Sequence, residues 1–368
     1  MLTARELSRL RRNLLVWFRQ FQRDLPWRRT TDPYRIWLSE IMLQQTRVAA
    51  AIPYYERFLE HFPTVQALAE APQEEVLRQW AGLGYYSRAR NLQEAARQIV
   101  ARHNGVFPDD PLQALALAGI GNYTAAAVLS IAYGKRTAVL DGNVARVIAR
   151  LGAIHGDLRV GPTWKKLQST ADQLLDRHVP GDWNQAMMEL GATLCTPRSP
   201  QCLLCPVSEF CRARKFGLAN VIPQKRKLRQ VVDVKLAAAV FLDPEGKTFL
   251  LPPPKPTRAR QTTAADVAVL LSRMWHFPTI QVERDAAAEL LMHLQAFSPR
   301  LRTAPLHLTP LKLARHAVTF RNISIQPFAI HVRKLSPPPH AKILPIADLS
   351  SVYISNLTRK IAQTAGHP

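Results

Sequence analysis

The chain reads as a mainly α-helical domain followed by a smaller α+β domain, and three features of its 368 residues carry that reading. From residue 1 to about 222 apolar positions recur at helical spacing, with strand-like alternation nearly absent. From about 231 the pattern changes to short apolar and alternating runs around turn residues. Near the end of the helical region, all four cysteines fall within residues 195–211. A disulfide scaffold would scatter its cysteines along the chain, so this confinement favours a local metal site.

Composition narrows the function classes. Hydrophobic residues make up 47% and charged residues 21%, which favours packed cores in two or three domains. Lysine and arginine number 49 against 27 acidic residues, a net charge of +22. Solubility does not need that excess, and a polyanion is its natural partner. No segment approaches 18 consecutive apolar residues, and arginines interrupt the opening MLTARELSRLRRNLLVWFRQF. That opening reads as an amphipathic helix, neither a signal peptide nor a membrane span. The expectation is a soluble chain in a reducing, cytoplasmic compartment.

The elements follow in order. APQEEVLRQWAGL and RARNLQEAARQIVARHNG carry helical spacing, the second stopped by Gly105. A basic stretch with Arg212, Arg214, Lys215, Lys225, Arg226, Lys227 and Arg229 contains no acidic residue and reads as a solvated linker over 223–230. VKLAAAVFLDPEGKTFLL predicts two strands around the turn Asp243-Pro244-Glu245-Gly246. A proline-rich loop, a helix around RDAAAELLMHLQAF and strands within HAVTFRNISIQPFAIHV complete a domain over 231–350, and 351–368 is a helix or tail.

Several residues stand out for their chemistry. In IWLSEIMLQQT, Glu40 is the one carboxylate in an otherwise apolar run. A polar helix face explains such a residue most often; the sharper reading is a carboxylic acid whose pKa is raised by burial. Cys195, Cys202, Cys205 and Cys211 stand at C-x6-C-x2-C-x5-C, a set of soft ligands suited to zinc or an iron–sulfur cluster. LAGIGNYTAAAVLSIAYG joins two helical patterns through Gly119-Ile120-Gly121. Such a turn lets backbone amides approach a phosphate without reading bases, although a plain helix–helix turn looks the same. Asp141 precedes Gly142 twenty residues after Gly121, and alone it would read as a turn or helix cap.

The cysteine spacing resembles the 4Fe-4S loop of the endonuclease III and MutY superfamily of DNA glycosylases. The glycine turn resembles that superfamily's L-P-G-x-G hairpin, with Ala118 where proline is usual, and Asp141 follows it at the superfamily's distance. LPWR, WLSEIMLQQTRVAAAIPYYERF, GLGYYSRARNL and NQAMMELGATLCTPRSPQCLLCP resemble the MutY-type adenine DNA glycosylases, which remove adenine mispaired with 8-oxoguanine or guanine. The resemblance implies a two-lobed helix-hairpin-helix core within 1–222: a six-helix lobe over about 30–135, and an iron–sulfur lobe from 1–29 and 136–222. It also implies a Nudix-like C-terminal domain, and a monomer acting on duplex DNA that contains A:8-oxoG or A:G pairs.

That reaction asks for two carboxyls in opposite states. Adenine leaves poorly as an anion, so an acid should protonate it while a charged carboxylate stabilises the oxocarbenium ion at C1′. Glu40 in its apolar run suits the first role and Asp141 the second. By resemblance Gln45 enters the base stack and Tyr85 wedges beside the opposing base. Trp27, Arg28, Leu43 and Gln185 line the adenine pocket, and Asn143 orders water near Asp141. Gly119 and Gly121 meet the DNA backbone. Tyr123 stands where lyases of the endonuclease III type place a lysine; a phenol cannot form a Schiff base, which implies a monofunctional enzyme. In the C-terminal domain HAVTFRNI keeps His316 and Thr319 of the family's lesion-reading loop but lacks the histidine after the hydroxyl residue. MWHFP, at 274–278, resembles the family's L-W-E-F-P. Two alternatives stay open: a glycosylase of the same fold acting on another base, such as thymine opposite guanine, and a non-catalytic iron–sulfur sensor of DNA damage.

Overall fold

The computed structural model describes residues 2–158, 160–224, 231–253, 274–297, 306–318, 320–352 and 354–365. From residue 225 on, the basic linker lies outside them. The chain divides into two compact units, Met1–Lys227 and Leu228–Pro368.

The described residues of the first unit are helical, without strands. Helix α1 (Ala4–Phe21) starts at a reciprocal cap: the Thr3 hydroxyl accepts from the Glu6 amide and the Glu6 carboxylate accepts from the Thr3 amide. Its buried stripe of Leu10, Leu14, Leu15 and Phe18 packs with residues from 138 to 222, so the N-terminus completes the lobe that carries the cysteines. The other lobe comprises α2 (Pro33–Leu43), α3 (Val48–His61), α4 (Val65–Glu70), α5 (Gln73–Gln79), α6 (Ser87–Arg102), α7 (Pro111–Leu115) and α8 (Asn122–Tyr133). These are seven helical segments where six were expected. Pro72 accounts for the extra break, because Ala71 before it is forced into an extended conformation. Trp37, Phe58 and Trp80 are fully buried there, with Phe58 and Trp80 edge to face at 5.8 Å.

Helices α9 (Gly142–Gly152), α10 (Gly161–Leu174), α11 (Pro180–Thr193) and the short α12 (Arg212–Lys215) form the cysteine-bearing lobe. Buried Asn184 ties it to α8, donating to the Ser130 hydroxyl at 2.9 Å and the Thr137 carbonyl at 2.8 Å while accepting from the Val139 amide. At Gly191 a Cβ atom would come within 2.8 Å of Asn143. Only glycine lets α11 lie that close to the start of α9.

In the second unit β1 (Val232–Leu242) runs parallel to β6 (Arg321–His331) and antiparallel to β3 (Thr279–Gln281). Strands β4 (Thr309–Pro310) and β5 (Ala314–Val318) pair antiparallel with β6. The run LAAAVFL in β1 is apolar throughout because both faces are covered. Ala237, Ala239 and Phe241 pack with α13 (Ala286–Phe297), whereas Val234, Leu236, Ala238 and Val240 pack with α14 (Asn356–Thr364). The Asp243–Gly246 turn closes between β1 and β2 (Lys247–Leu250), but β2 pairs with β7 (Lys342–Pro345) in a separate two-stranded sheet.

Candidate active site

Helix α2 places Glu40 where water barely reaches it. Asp32 caps the helix, accepting from the Tyr34 amide at 2.8 Å, and Pro33 opens its first turn. Residues 36–42 are then all buried, with Glu40 only 5% exposed. The Tyr123 hydroxyl, reaching from α8, donates to Glu40 Oε2 at 2.5 Å. Burial pushes the Glu40 carboxyl up to about 7; the Tyr123 hydrogen bond and Arg28 oppose the rise, and Asp141 adds to it. Burial and the nearby carboxylates hold Tyr123 well above the usual phenol range, so it acts as a neutral donor.

Asp141 lines the same cavity of about 670 Å³ as Glu40 and Tyr123. It caps α9: Oδ1 accepts from the Val144 amide at 2.7 Å, and Oδ2 accepts from the Asn143 side chain at 3.1 Å. Burial raises its pKa, opposed by the Val144 and Asn143 amides, Arg146 and the Asn143 side chain. Those donors counteract part of the rise that burial causes. The reading of Asp141 as a helix cap is what the structure shows, and the capped carboxylate also lines this cavity. Asn143 is itself fixed, its Oδ1 accepting from Arg146 Nη2 at 2.8 Å, and Arg146 also donates to the carbonyls of Gly191 and Cys195 at 2.8 Å each.

Trp27, Arg28, Leu43, Gln45, Gly121 and Gln185 also line this cavity. Among the described residues the Gln185 side chain makes no hydrogen bond, which leaves its amide for a ligand. Arg28 is more committed, since it donates to Glu189 Oε2 at 2.7 Å and to the Arg23 carbonyl at 3.0 Å. Sequence reasoning missed Glu189, 1% exposed, although it stands in an apolar run much like that of Glu40. Burial raises Glu189, yet its hydrogen bonds to Arg23 and Arg28 win and hold the carboxyl at about 2. The two buried glutamates differ in their partners: paired arginines for Glu189, a neutral phenol and a second carboxylate for Glu40.

Gln45 lines this cavity, and Tyr85 stands on a separate segment. Both are exposed and both adopt left-handed backbone angles, φ 58° and 46°, which cost L-residues about 1 kcal/mol or more. They line a second cavity of about 260 Å³ together with Gly119. Gly119 has φ 73°, and a Cβ atom there would lie 2.7 Å from Asn91 Cβ. Gly121 caps α8 with open space before it, so the hairpin between α7 and α8 presents its backbone outward.

Cys195, Cys202, Cys205 and Cys211 line one small cavity beside Arg150. Among the described residues no three His, Cys, Asp or Glu side chains are grouped to hold a single metal ion. The four thiols share one cavity, a set of soft ligands that fits an iron–sulfur cluster. Burial pushes the Cys205 thiol up to about 12 and raises that of Cys211. Arg150 braces the loop, donating to Cys195 Sγ at 3.2 Å and to the Thr196 carbonyl at 2.8 Å.

Residues 38–180 match the family described as HhH-GPD superfamily base excision DNA repair protein, and residues 195–211 match the iron-sulfur binding domain of endonuclease III. Human adenine DNA glycosylase is 36% identical over 412 residues, covering 97% of this chain and 74% of the human protein. The rat protein of the same name is 35% identical, covering 97% and 78%. The chain belongs to the adenine DNA glycosylases. Among solved structures, this glycosylase is similar to a thermostable thymine-DNA glycosylase, at 30% identity and TM-score 0.53 over 58% of this chain and 98% of that one. It is also similar to an endonuclease III–DNA covalent complex, at 25% identity and TM-score 0.51 over 59% and 100%. Cys195, Cys202, Cys205 and Cys211 are the residues that would hold the 4Fe-4S cluster. The cluster would order the loop around it, and none of its four ligands lines the cavity around Glu40.

His316 sits on β5 opposite Ile323, half-buried, and burial with Lys360 lowers its pKa. Thr319 lies outside the described residues. His276, in MWHFP, is buried and engages the Phe277 carbonyl, so it serves that loop's structure.

Proposed function

We propose that this glycosylase flips adenine out of A:8-oxoG and A:G pairs and hydrolyses its N-glycosidic bond without lyase chemistry. The observation that supports this most is that a carboxylic acid near pKa 7 and a capped carboxylate share one cavity large enough for a nucleoside. Glu40 protonates the departing adenine at N7, so the base leaves neutral. Asp141, with its negative charge held by the Val144 amide and the Asn143 side chain, stabilises the oxocarbenium ion at C1′. Asn143 also orients the water that attacks the sugar. Tyr123 has no amine to form a Schiff base and instead keeps Glu40 in position. Trp27, Leu43 and Gln185 bind the extruded base, the last through its free amide, while Gln45 and Tyr85 fill and wedge the gap. Gly119 and Gly121 hold the phosphate backbone, and His316 with Thr319 reads the oxidised guanine.

Single-turnover excision on A:8-oxoG, A:G and T:G duplexes tests the reading. Adenine should be released from the first two, with abasic product and no strand cleavage. Release of thymine in preference to adenine would favour the thymine-directed reading, for which the similarity to a thymine-DNA glycosylase is the supporting observation.

A further inference from the structure

Gln45 and Tyr85 stand on segments that are remote in sequence, one just beyond the end of α2 and one in the loop before α6. Each holds a left-handed backbone conformation that it would leave if free to do so. A single buried side chain touches both segments. Arg88 Nη1 donates to the carbonyls of Ile41 and Met42 at 2.9 Å each and of Gln44 at 2.5 Å. Its Nη2 donates to the Thr46 hydroxyl at 3.3 Å, the Leu83 carbonyl at 3.3 Å and the Gly84 carbonyl at 3.2 Å. The guanidinium thus bonds the residues immediately before and after Gln45 and the residue immediately before Tyr85. It also lies 5.8 Å from the Tyr85 ring centroid and 5.4 Å from that of Trp80.

We propose that Arg88 is the positioning residue that fixes the spacing of Gln45 and Tyr85, so that the two enter the duplex as one wedge. This rests on the wedge reading of those two side chains given above. The carbonyls of Ile41, Met42 and Gln44 are the orphan acceptors of the last turn of α2, at the negative end of its dipole, where a cation is favoured. One planar fork with five donors can hold both segments at once; a lysine ammonium, a point charge, can satisfy one cluster of carbonyls but not both. Parting a base pair costs a few kcal/mol, and a wedge whose two halves move independently loses part of that in its own loops. Arg88 removes this loss by tying both halves to one rigid group at the start of α6. Arg88 bonds neither Glu40 nor Asp141 directly, although two of its acceptors follow Glu40 on α2; its effect on the wedge is therefore the part that grows when a partner base must be parted.

The test uses the full chain with its cluster, in single-turnover excision at saturating enzyme. Arg88→Lys is compared with the unaltered protein on adenine opposite 8-oxoguanine and on adenine opposite an abasic analogue, where no partner base must be parted. The expected result is a loss of roughly ten- to hundredfold on the first duplex, the size of one or two charge-assisted hydrogen bonds, with a much smaller loss on the second. Equal losses on both duplexes, or none, would overturn the proposal. A second measurement does not depend on Arg88→Lys folding: Gln45→Ala, Tyr85→Ala and the double variant on the paired duplex. One wedge predicts that the double variant is little worse than the poorer single variant. If both singles lose activity but the losses multiply independently, the Arg88 proposal fails and the wedge reading stands. If neither single variant loses activity, the wedge reading fails first.

Discussion

Replacing Tyr123 with phenylalanine removes one oxygen and asks how the acid at the centre of the site is tuned. The phenol donates at 2.5 Å to Glu40 Oε2. Burial pushes Glu40 up to about 7, and this hydrogen bond is the largest influence holding it down. A hydrogen bond to a buried charged group is worth about 1.5–3 kcal/mol. Its loss should therefore raise Glu40 by about one pH unit or more, at roughly 1.4 kcal/mol per unit. The sign follows from the role. In the proposed mechanism Glu40 acts protonated, so a higher pKa would keep it active to higher pH and move the alkaline limb of the excision profile upward. Single-turnover excision from an A:8-oxoG duplex, followed from roughly pH 5 to pH 9 at saturating enzyme, gives that limb directly. The unaltered protein should lose rate on passing neutrality, and Tyr123→Phe should lose it about one unit later, whatever its maximal rate. An unmoved midpoint, or one moved to lower pH, would refute the reasoning that this phenol favours the charged form of the acid.

Two buried glutamates make opposite predictions for stability. Glu40 is raised from 4.5 to about 7, so its contribution is fully present below 4.5 and lost as pH rises through 7. At pH 8 this amounts to about 3 kcal/mol, and Glu40→Gln should be more stable than the unaltered protein there, by urea unfolding, but not at pH 4. Glu189 is depressed to about 2, so its contribution is present above 4.5 and lost as pH falls towards 2. Glu189→Gln should be destabilised by about 3 kcal/mol near neutrality, as expected for breaking a buried ion pair, with a smaller difference in acid. In the hairpin, Gly119→Ala meets Asn91 at 2.7 Å and must hold φ 73°, whereas Gly121→Ala meets nothing. Fluorescence anisotropy should find DNA binding weakened by roughly 1 kcal/mol or more for the first; for the second any loss comes from a methyl group set between the hairpin and the phosphate, not from strain within the protein.

What the sequence disclosed, and what it hid, follows how local each signal is. The cysteine spacing is complete within one loop, so it was legible. Glu40 was legible because a single carboxylate in an apolar helix has no local reason to be there. Glu189 carried much the same signal, but its meaning depends on Arg23 and Arg28, more than 160 positions away. Asp141 was readable as a cap from its neighbours, while the cavity it faces is assembled from distant helices. The Arg88 clamp left no sequence trace, because its acceptors are mainly backbone carbonyls, which every residue carries. In the second unit, the turn at 243–246 was readable, but the pairing of β2 with β7 was not, since its partner lies some ninety residues on.

The central claim is that Glu40 delivers a proton to an adenine held across from Asp141. Its most direct test is single-turnover excision from an A:8-oxoG duplex by Glu40→Gln, with DNA affinity measured on the same preparation. The account predicts affinity close to that of the unaltered protein and excision slowed by roughly a thousandfold or more, as for loss of a general acid. Unimpaired excision by Glu40→Gln would contradict it.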